Sequence, residues 1–279
     1  YGGTAAGVMT AVAGARHGLS TVLLEPGRHV GGMVTGGLSG TDVGRIEVIG
    51  GMALEFYWRM GTHYQLDRHL QQLAWMPEPG AGEAMMRRML ADAKVTVLYG
   101  HRLREKGGVV KQGARVAEIV MENGARFQGK VFADCSYEGD LMAQSGVSYT
   151  YGRESVSQYG ESLAGVRAHT GSHQFAVDVP ARNERGQLLP EISAEPRGEP
   201  GSADKRIQAN NFRVIATNVP QNRIPWPKPA GYDPARYELL ARYLAATTKY
   251  MGRPLTINEV SLLRVIPNGK ADFNNRGSF

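Results

Sequence analysis

From Ala5 to His17 the chain carries small, mostly apolar residues without proline, then a glycine break, then the apolar run "TVLLE" that closes on an acid. That order predicts a helix, a turn and a buried strand. The next stretch, "GRHVGGMVTGGLSGTDVG", holds too many glycines for regular structure and is expected to be a long functional loop. Short helices are expected over 52–60 and 63–74. In "GEAMMRRMLADA", Met85, Met86, Met89 and Leu90 recur at helical spacing with arginines opposite, which predicts a core-packing helix in preference to a methionine-lined groove.

Beyond that helix, "KVTVLYGHRL", "GVVKQGARVAEIVMENG" and "ARFQGKVFADC" read as successive strands of a β-meander, with a tight turn at Asn123-Gly124 and a return to a core strand. After about residue 150 the texture changes. "PARNERGQLLPEISAEPRGEPGS" is an exposed excursion by its proline, glycine and charge. Asp233 as N-cap, Pro234 at the first helical position and the spacing of Tyr237, Leu240, Tyr243, Leu244 and Thr247 predict a helix. "VSLLRVIP" is an apolar strand, and the polar "NGKADFNN" after it, with Asn268, Lys270, Asp272, Asn274 and Asn275, is expected as a loop that either contacts substrate or is an ordinary turn.

Composition narrows the function classes. With 279 residues, 42% hydrophobic and 21% charged, the chain is a core-forming protein of one large or two ordinary domains. The net charge of +6 is scattered, so a nucleic-acid partner is not expected. A single cysteine, Cys135, excludes an internal disulfide, a CxxC pair and a thiolate-held cluster. It is compatible with a reducing, cytoplasmic compartment. No apolar run reaches membrane-span length, so no span is expected in this chain.

The chemistry starts at the first residues. In a βαβ dinucleotide site a glycine turn lets backbone N–H groups and the helix N-terminus approach a pyrophosphate. Gly2, Gly3, Thr4, Ala5, Ala6 and Gly7 suit that task, with Thr4 where a middle glycine is expected. Glu25 stands 18 residues after Gly7, at the end of the next apolar strand, where a carboxylate accepts from ribose hydroxyls. A glycine-rich turn with a strand-end acid of no special role is the plainer alternative. NAD and FAD share this turn. Gly31-Gly32 and Gly36-Gly37, which offer donors to a second stretch of an extended ligand, and the inserted meander favour FAD. An NAD-dependent dehydrogenase and a non-catalytic nucleotide-binding module are the alternatives.

"YGGTAAGV", "LLEPGRHVGGMVTGGLSGTD", "ADCSYEGDLMAQSGV" and "NGKADFNNRGSF", in this order, resemble the FAD-dependent oxidoreductases related to the flavoprotein subunit of heterodisulfide reductase. The resemblance implies an α/β fold: a Rossmann-like doubly wound FAD-binding domain with an inserted β-meander over 1–150, and an α+β substrate domain over 151–279. It implies hydride transfer between an organic substrate and FAD, with a further electron acceptor. By the same resemblance Gly2, Gly3, Thr4, Ala5 and Gly7 hold the pyrophosphate and Glu25 the adenosine ribose. Arg28, Gly31, Gly32 and Met33 continue along the cofactor, and Arg102 and Leu103 lie by the adenine through backbone atoms. Thr35, Gly36, Gly37 and Leu38 approach the flavin ring, and Cys135 and Asp140 are further cofactor-binding residues. Cys135-Ser136-Tyr137 replace the Ala-Thr-Gly often found in such flavoproteins. A glycine turn at residue 2 with no strand ahead of it, and the lack of a C-terminal Gly-Asp motif, lead to the expectation that this is a fragment.

For catalysis the candidates are His29, whose loop is expected to pass near the flavin, and Tyr137 and Glu138, a phenol and an acid suited to a proton coupled to hydride transfer. Each has a structural alternative: a hydrogen-bonded histidine for His29, and helix capping for Glu138 and Asp140. Cys135 reads as a small buried hydrophobe in preference to a redox thiol. His169 and His173 have the spacing of a metal pair but no evident third ligand, and no metal site is expected.

Overall fold

The computed structural model describes residues 1–66, 73–168, 170, 173–208 and 210–275. Its elements run α1 (Ala5–Arg16), β1 (Val22–Glu25), α2 (Gly51–His63), α3 (Pro79–Asp92), β2 (Thr96–Tyr99), β3 (Val109–Gln112), β4 (Arg115–Val120), β5 (Arg126–Gln128) and α4 (Asp140–Gln144). Then follow α5 (Val156–Tyr159), β6 (Val214–Thr217), α6 (Glu238–Met251), α7 (Ile257–Val260), β7 (Ser261–Ile266) and β8 (Lys270–Asn275). The chain divides into two compact units, Tyr1–Tyr149 with Val265–Asp272, and Thr150–Arg264 with Phe273–Phe279.

In the first unit β1 and β2 pair in parallel, Val22 opposite Thr96 through Glu25 opposite Tyr99. Successive side chains of a strand face opposite sides, and β1 uses both. Leu23 packs into a core with Val8 and Val12 of α1, Phe56 and Met60 of α2, and Met86, Met89 and Leu90 of α3. Leu24 packs into a second core with Leu103, Ile119, Met121 and Leu141. Helices therefore cover one face of the strand pair and the meander β3-β4-β5 covers the other. Each fully buried Leu, Val or Met contributes about 1.5–3 kcal/mol. The bidentate pair between Arg16 and Glu55, at 2.7 Å on both arms, joins α1 to α2, and Arg59 to Asp92 joins α2 to α3.

Several expectations are corrected. "KVTVLYG" is not the first strand of the meander: β2 pairs with β1, a non-local partner that local pattern does not reveal. Residues 131–135 form no strand ladder, although the Tyr1 ammonium donates to the Ala133 carbonyl and the Cys135 N–H to the Tyr1 carbonyl, both at 2.8 Å. The 63–74 helix does not appear where the chain is described, since α2 ends at His63 and 73–74 are irregular; 67–72 lie outside the described residues. "NGKADFNN" is a strand and not a loop. Asn268 (φ 61°) and Gly269 (φ 65°) make the tight turn between β7 and β8, and a polar strand forms because polar partners await it.

Elements α5, β6, α6 and α7 fall in the second unit, and β6, β8 and β7 pair in that order. Asp233 accepts from the Ala235 amide at 2.9 Å, so the expected cap is present, and Pro234–Tyr237 form a 3-10 turn ahead of α6. The 180–202 excursion has no helix or strand. No described helix is long and apolar enough to cross a membrane, and no described group of His, Cys, Asp or Glu suits a metal. His169 lies outside the described residues.

Candidate functional site

The site is built at the point where β1, the start of α1 and two loops meet. Gly2 takes φ +91°, and a Cβ there would lie 2.6 Å from the Ser136 nitrogen, so only glycine fits. A Cβ on Gly7 would stand 1.9 Å from the Gly2 carbonyl oxygen, which makes Gly7 the residue that lets the first turn of α1 fold against its own approach. Thr4, in the place of the middle glycine, is the N-cap of α1. Its Oγ1 accepts from the Gly7 amide at 3.2 Å and donates to the Cys135 carbonyl at 2.6 Å. The side chain thus spends its polarity on the helix and the crossing segment. The leading amides of α1 lack intrahelical acceptors and carry the positive end of a 12-residue helix.

Glu25 closes this turn. Its Oε2 accepts from the Gly3 amide and its Oε1 from the Gly27 amide, each at 2.6 Å. A carboxylate oxygen has two lone-pair sites, so each retains capacity for a further donor such as a ribose hydroxyl. The Gly3 carbonyl in turn accepts from the Gly31 amide at 2.7 Å, which ties the first glycine turn to the second.

The second loop is fixed from α3. Glu83 accepts from the Val30 amide at 3.4 Å and pairs with the His29 Nδ1 at 2.9 Å, while Arg87 reaches the Arg28 carbonyl at 3.0 Å. Burial alone would raise the Glu83 carboxyl; hydrogen bonds from His29 and Arg87 outweigh it and hold the group below its ordinary value. His29 is exposed and paired with Glu83, and the Arg28 side chain is exposed. Thr35 is buried and its Oγ1 donates to the Val30 carbonyl at 2.6 Å. Gly36 and Leu38 both donate to the Met33 carbonyl, and Gly37 takes φ +117°.

A third segment, residues 134–139, crosses beside the first two. The Tyr137 hydroxyl accepts from the Met33 amide at 2.8 Å, and a Cβ on Gly32 would meet that hydroxyl at 2.2 Å. Tyr137 is thereby in contact with the glycine loop. Glu138 and Asp140 are both exposed, and neither caps α4, whose N-cap is Gly139 without a side-chain bond. The capping expectation passes to Asp134: its Oδ2 accepts from the Met142 amide at 2.8 Å and its Oδ1 from Ser136. Cys135 is partly buried beside Thr10, a free thiol packed at the helix. Arg102 is exposed; its carbonyl accepts from the Glu122 amide, and the Leu103 amide donates to the hydroxyl of Tyr1, the neighbour of Gly2, at 3.1 Å.

The polar residues of "NGKADFNN" find partners at Glu78, which no sequence motif singles out, and at Gly40. Glu78, the N-cap residue of α3, is buried and receives Asn268 at 2.7 Å, Tyr64 at 3.1 Å and the Lys270 ammonium. Asp272 is fully buried and accepts from the Gly40 amide at 3.1 Å. Asn268, Lys270 and Asp272 therefore brace the first unit. Ser39 is 1% exposed, and its Oγ has no hydrogen-bond partner among the described residues. An unmade bond of this kind costs about 1–3 kcal/mol. No signal for these pairings exists locally, since Glu78 and Lys270 are 192 positions apart.

Donor amides at a helix start, a carboxylate with spare lone pairs and a second glycine loop hydrogen-bonded to the first form a chemistry that fits an extended dinucleotide. A comparison with curated proteins gave no match. A family model described as FAD dependent oxidoreductase matches residues 1–276, and the chain belongs to that family, as an oxidoreductase with FAD as its cofactor.

Proposed function

We propose that FAD lies extended along the first unit, with its pyrophosphate over the turn at residues 2–7, its adenosine ribose at Glu25 and its flavin end along residues 31–38. The observation that carries this reading is the bond from Gly3 to Glu25 together with that from Gly31 to Gly3, which join three stretches of the chain that an extended dinucleotide must touch in turn. The Rossmann-like doubly wound domain over 1–150, the α+β substrate domain over 151–279 and kinship with the flavoprotein subunit of heterodisulfide reductase are part of the same proposal.

The bound flavin supplies hydride chemistry toward an organic substrate and onward transfer to an acceptor. This chain's residues bind and orient. The α1 amides meet negative charge, Glu25 accepts hydroxyl protons, and Glu83 and Arg87 keep the 28–30 loop in place. Tyr137, with its hydroxyl on the Met33 amide, is the proton-handling side chain that this geometry favours over His29, which is engaged by Glu83.

The protein incubated with FAD and freed of excess is expected to be yellow, with an absorbance band near ~450 nm that a substrate bleaches without oxygen. Protein that stays colourless contradicts the binding mode; a bound flavin that no organic donor or acceptor changes contradicts the hydride transfer.

A further inference from the structure

A cavity of about 380 Å³ lies between the start of β4, the 130–134 segment and α4, and none of the residues proposed to hold FAD lines it. Its apolar lining includes Phe132, Leu141, Met142 and Val147. Leu141 is buried in the second core and Phe132 packs against that core, whereas Val147 is 52% exposed. The cavity thus has a floor on the core and a side open to solvent, through which a ligand can enter. Its volume falls within the range of about 300–1,000 Å³ that small-molecule sites occupy.

Arg115 and Lys130 line the same cavity, and both are exposed. The Arg115 guanidinium makes one long bond, 3.4 Å to the Gly129 carbonyl, which leaves most of its N–H donors unused. Lys130 has no hydrogen bond or ion pair among the described residues. Asp134, the lining carboxylate, is already engaged: Oδ1 accepts from the Ser136 amide at 3.0 Å and hydroxyl at 2.7 Å, and Oδ2 from the Met142 amide at 2.8 Å. Two cations therefore border an apolar cavity without a protein anion to pair them. A carboxylate matches the arginine fork, and the lysine adds a point charge. A compact anion gains little from exposed cations, because water screens the pair. An anion whose apolar body leaves water for the cavity gains from both parts.

We propose that this cavity binds a small organic carboxylate with an apolar body, the carboxylate on Arg115 and Lys130 and the body against Phe132, Leu141 and Met142. The site stands apart from the FAD path and does not depend on it.

Octanoate is the probe, titrated by calorimetry into the full chain saturated with FAD, with acetate and octylamine as controls and Arg115→Glu and Lys130→Glu as variants. Octanoate is expected to bind at one site, and both controls about tenfold more weakly or worse, acetate for want of the apolar body and octylamine for want of the negative charge. Each charge reversal is expected to weaken octanoate about tenfold while the melting temperature stays near that of wild type, since both side chains are exposed. No octanoate binding, binding of either control as tight as that of octanoate, or an octanoate affinity untouched by either reversal overturns the proposal. If the reversed proteins do not fold, octanoate against octylamine decides. If the chain takes up no FAD, the same titration is run on the FAD-free chain, where octanoate binding that the reversals weaken upholds the cavity site while the FAD reading falls.

Discussion

The Glu25 carboxylate accepts the Gly3 amide proton at 2.6 Å across 22 residues of chain, and so locks the strand end to the glycine turn that opens α1. The same carboxylate holds Gly27, the start of the second glycine loop. One acid thereby sets the relative position of both loops.

Replacing it separates charge from shape. Glu25→Gln puts an amide N–H against one of two backbone N–H donors, and is expected to cost about 1–3 kcal/mol of stability and to weaken FAD at least tenfold. Thermal melts and FAD titration of the same samples check this; unchanged affinity in a folded Glu25→Gln protein removes Glu25 from the ribose contact.

Gly7 and Gly80 form a paired control. Gly7→Ala places a Cβ 1.9 Å from the Gly2 oxygen, so the turn must open, with a loss of about 3 kcal/mol or more. Gly80 lies in α3 with open space around it, and Gly80→Ala is expected to stabilise by about 0.5–1 kcal/mol. Chemical denaturation of the two variants is expected to give opposite signs.

The opening turn shows what is legible from residue types and what is not. Small residues without proline mark α1, and a threonine in a glycine's place looks like a departure; as the N-cap it is what a helix start requires. The acid at the strand end is legible by spacing. Its partners are not, because a side chain's bond to a backbone amide 22 residues away leaves no periodic trace. The same holds for Asp134 capping α4 where Glu138 and Asp140 are nearer choices, and for β2, whose parallel pairing with β1 is set by α3 between them. The β7–β8 hairpin reads as strand and loop because Lys270 and Asp272 are polar, and their buried partners Glu78 and Gly40 come from distant elements.

The Glu78 cluster predicts a two-sided pH dependence. Burial would raise Glu78, but hydrogen bonds from Lys270, Asn268 and Tyr64 outweigh it and lower its pKa from the ordinary 4.5. A depressed carboxyl stabilises the fold fully above its unfolded value and loses that contribution as pH falls through the folded one, so acid melts the hairpin anchor below about pH 4.5. Burial and, secondarily, the Glu78 charge and its hydrogen bond push Tyr64 up to about 12, against an opposing backbone bond. A raised tyrosine contributes below its unfolded value of 10.0 and loses the contribution as pH rises toward about 12. Melting temperature against pH, wild type against Glu78→Gln, is expected to show the acid limb flattened in the variant; an unchanged limb contradicts the assignment.

Tyr137→Phe removes the acceptor for the Met33 amide and keeps the ring against Gly32. Because the side chain is largely exposed, stability is expected to change by less than about 1 kcal/mol, while the rate of flavin reduction falls and its pH profile moves. Reduction kinetics identical to wild type at every pH exclude Tyr137 from proton handling.

The most direct measurement is a crystal structure of the chain with FAD. It is expected to show the pyrophosphate against the first amides of α1 between Gly2 and Gly7 and the adenosine ribose hydroxyls on Glu25. A pyrophosphate seated elsewhere, with Glu25 still holding only Gly3 and Gly27, contradicts the account.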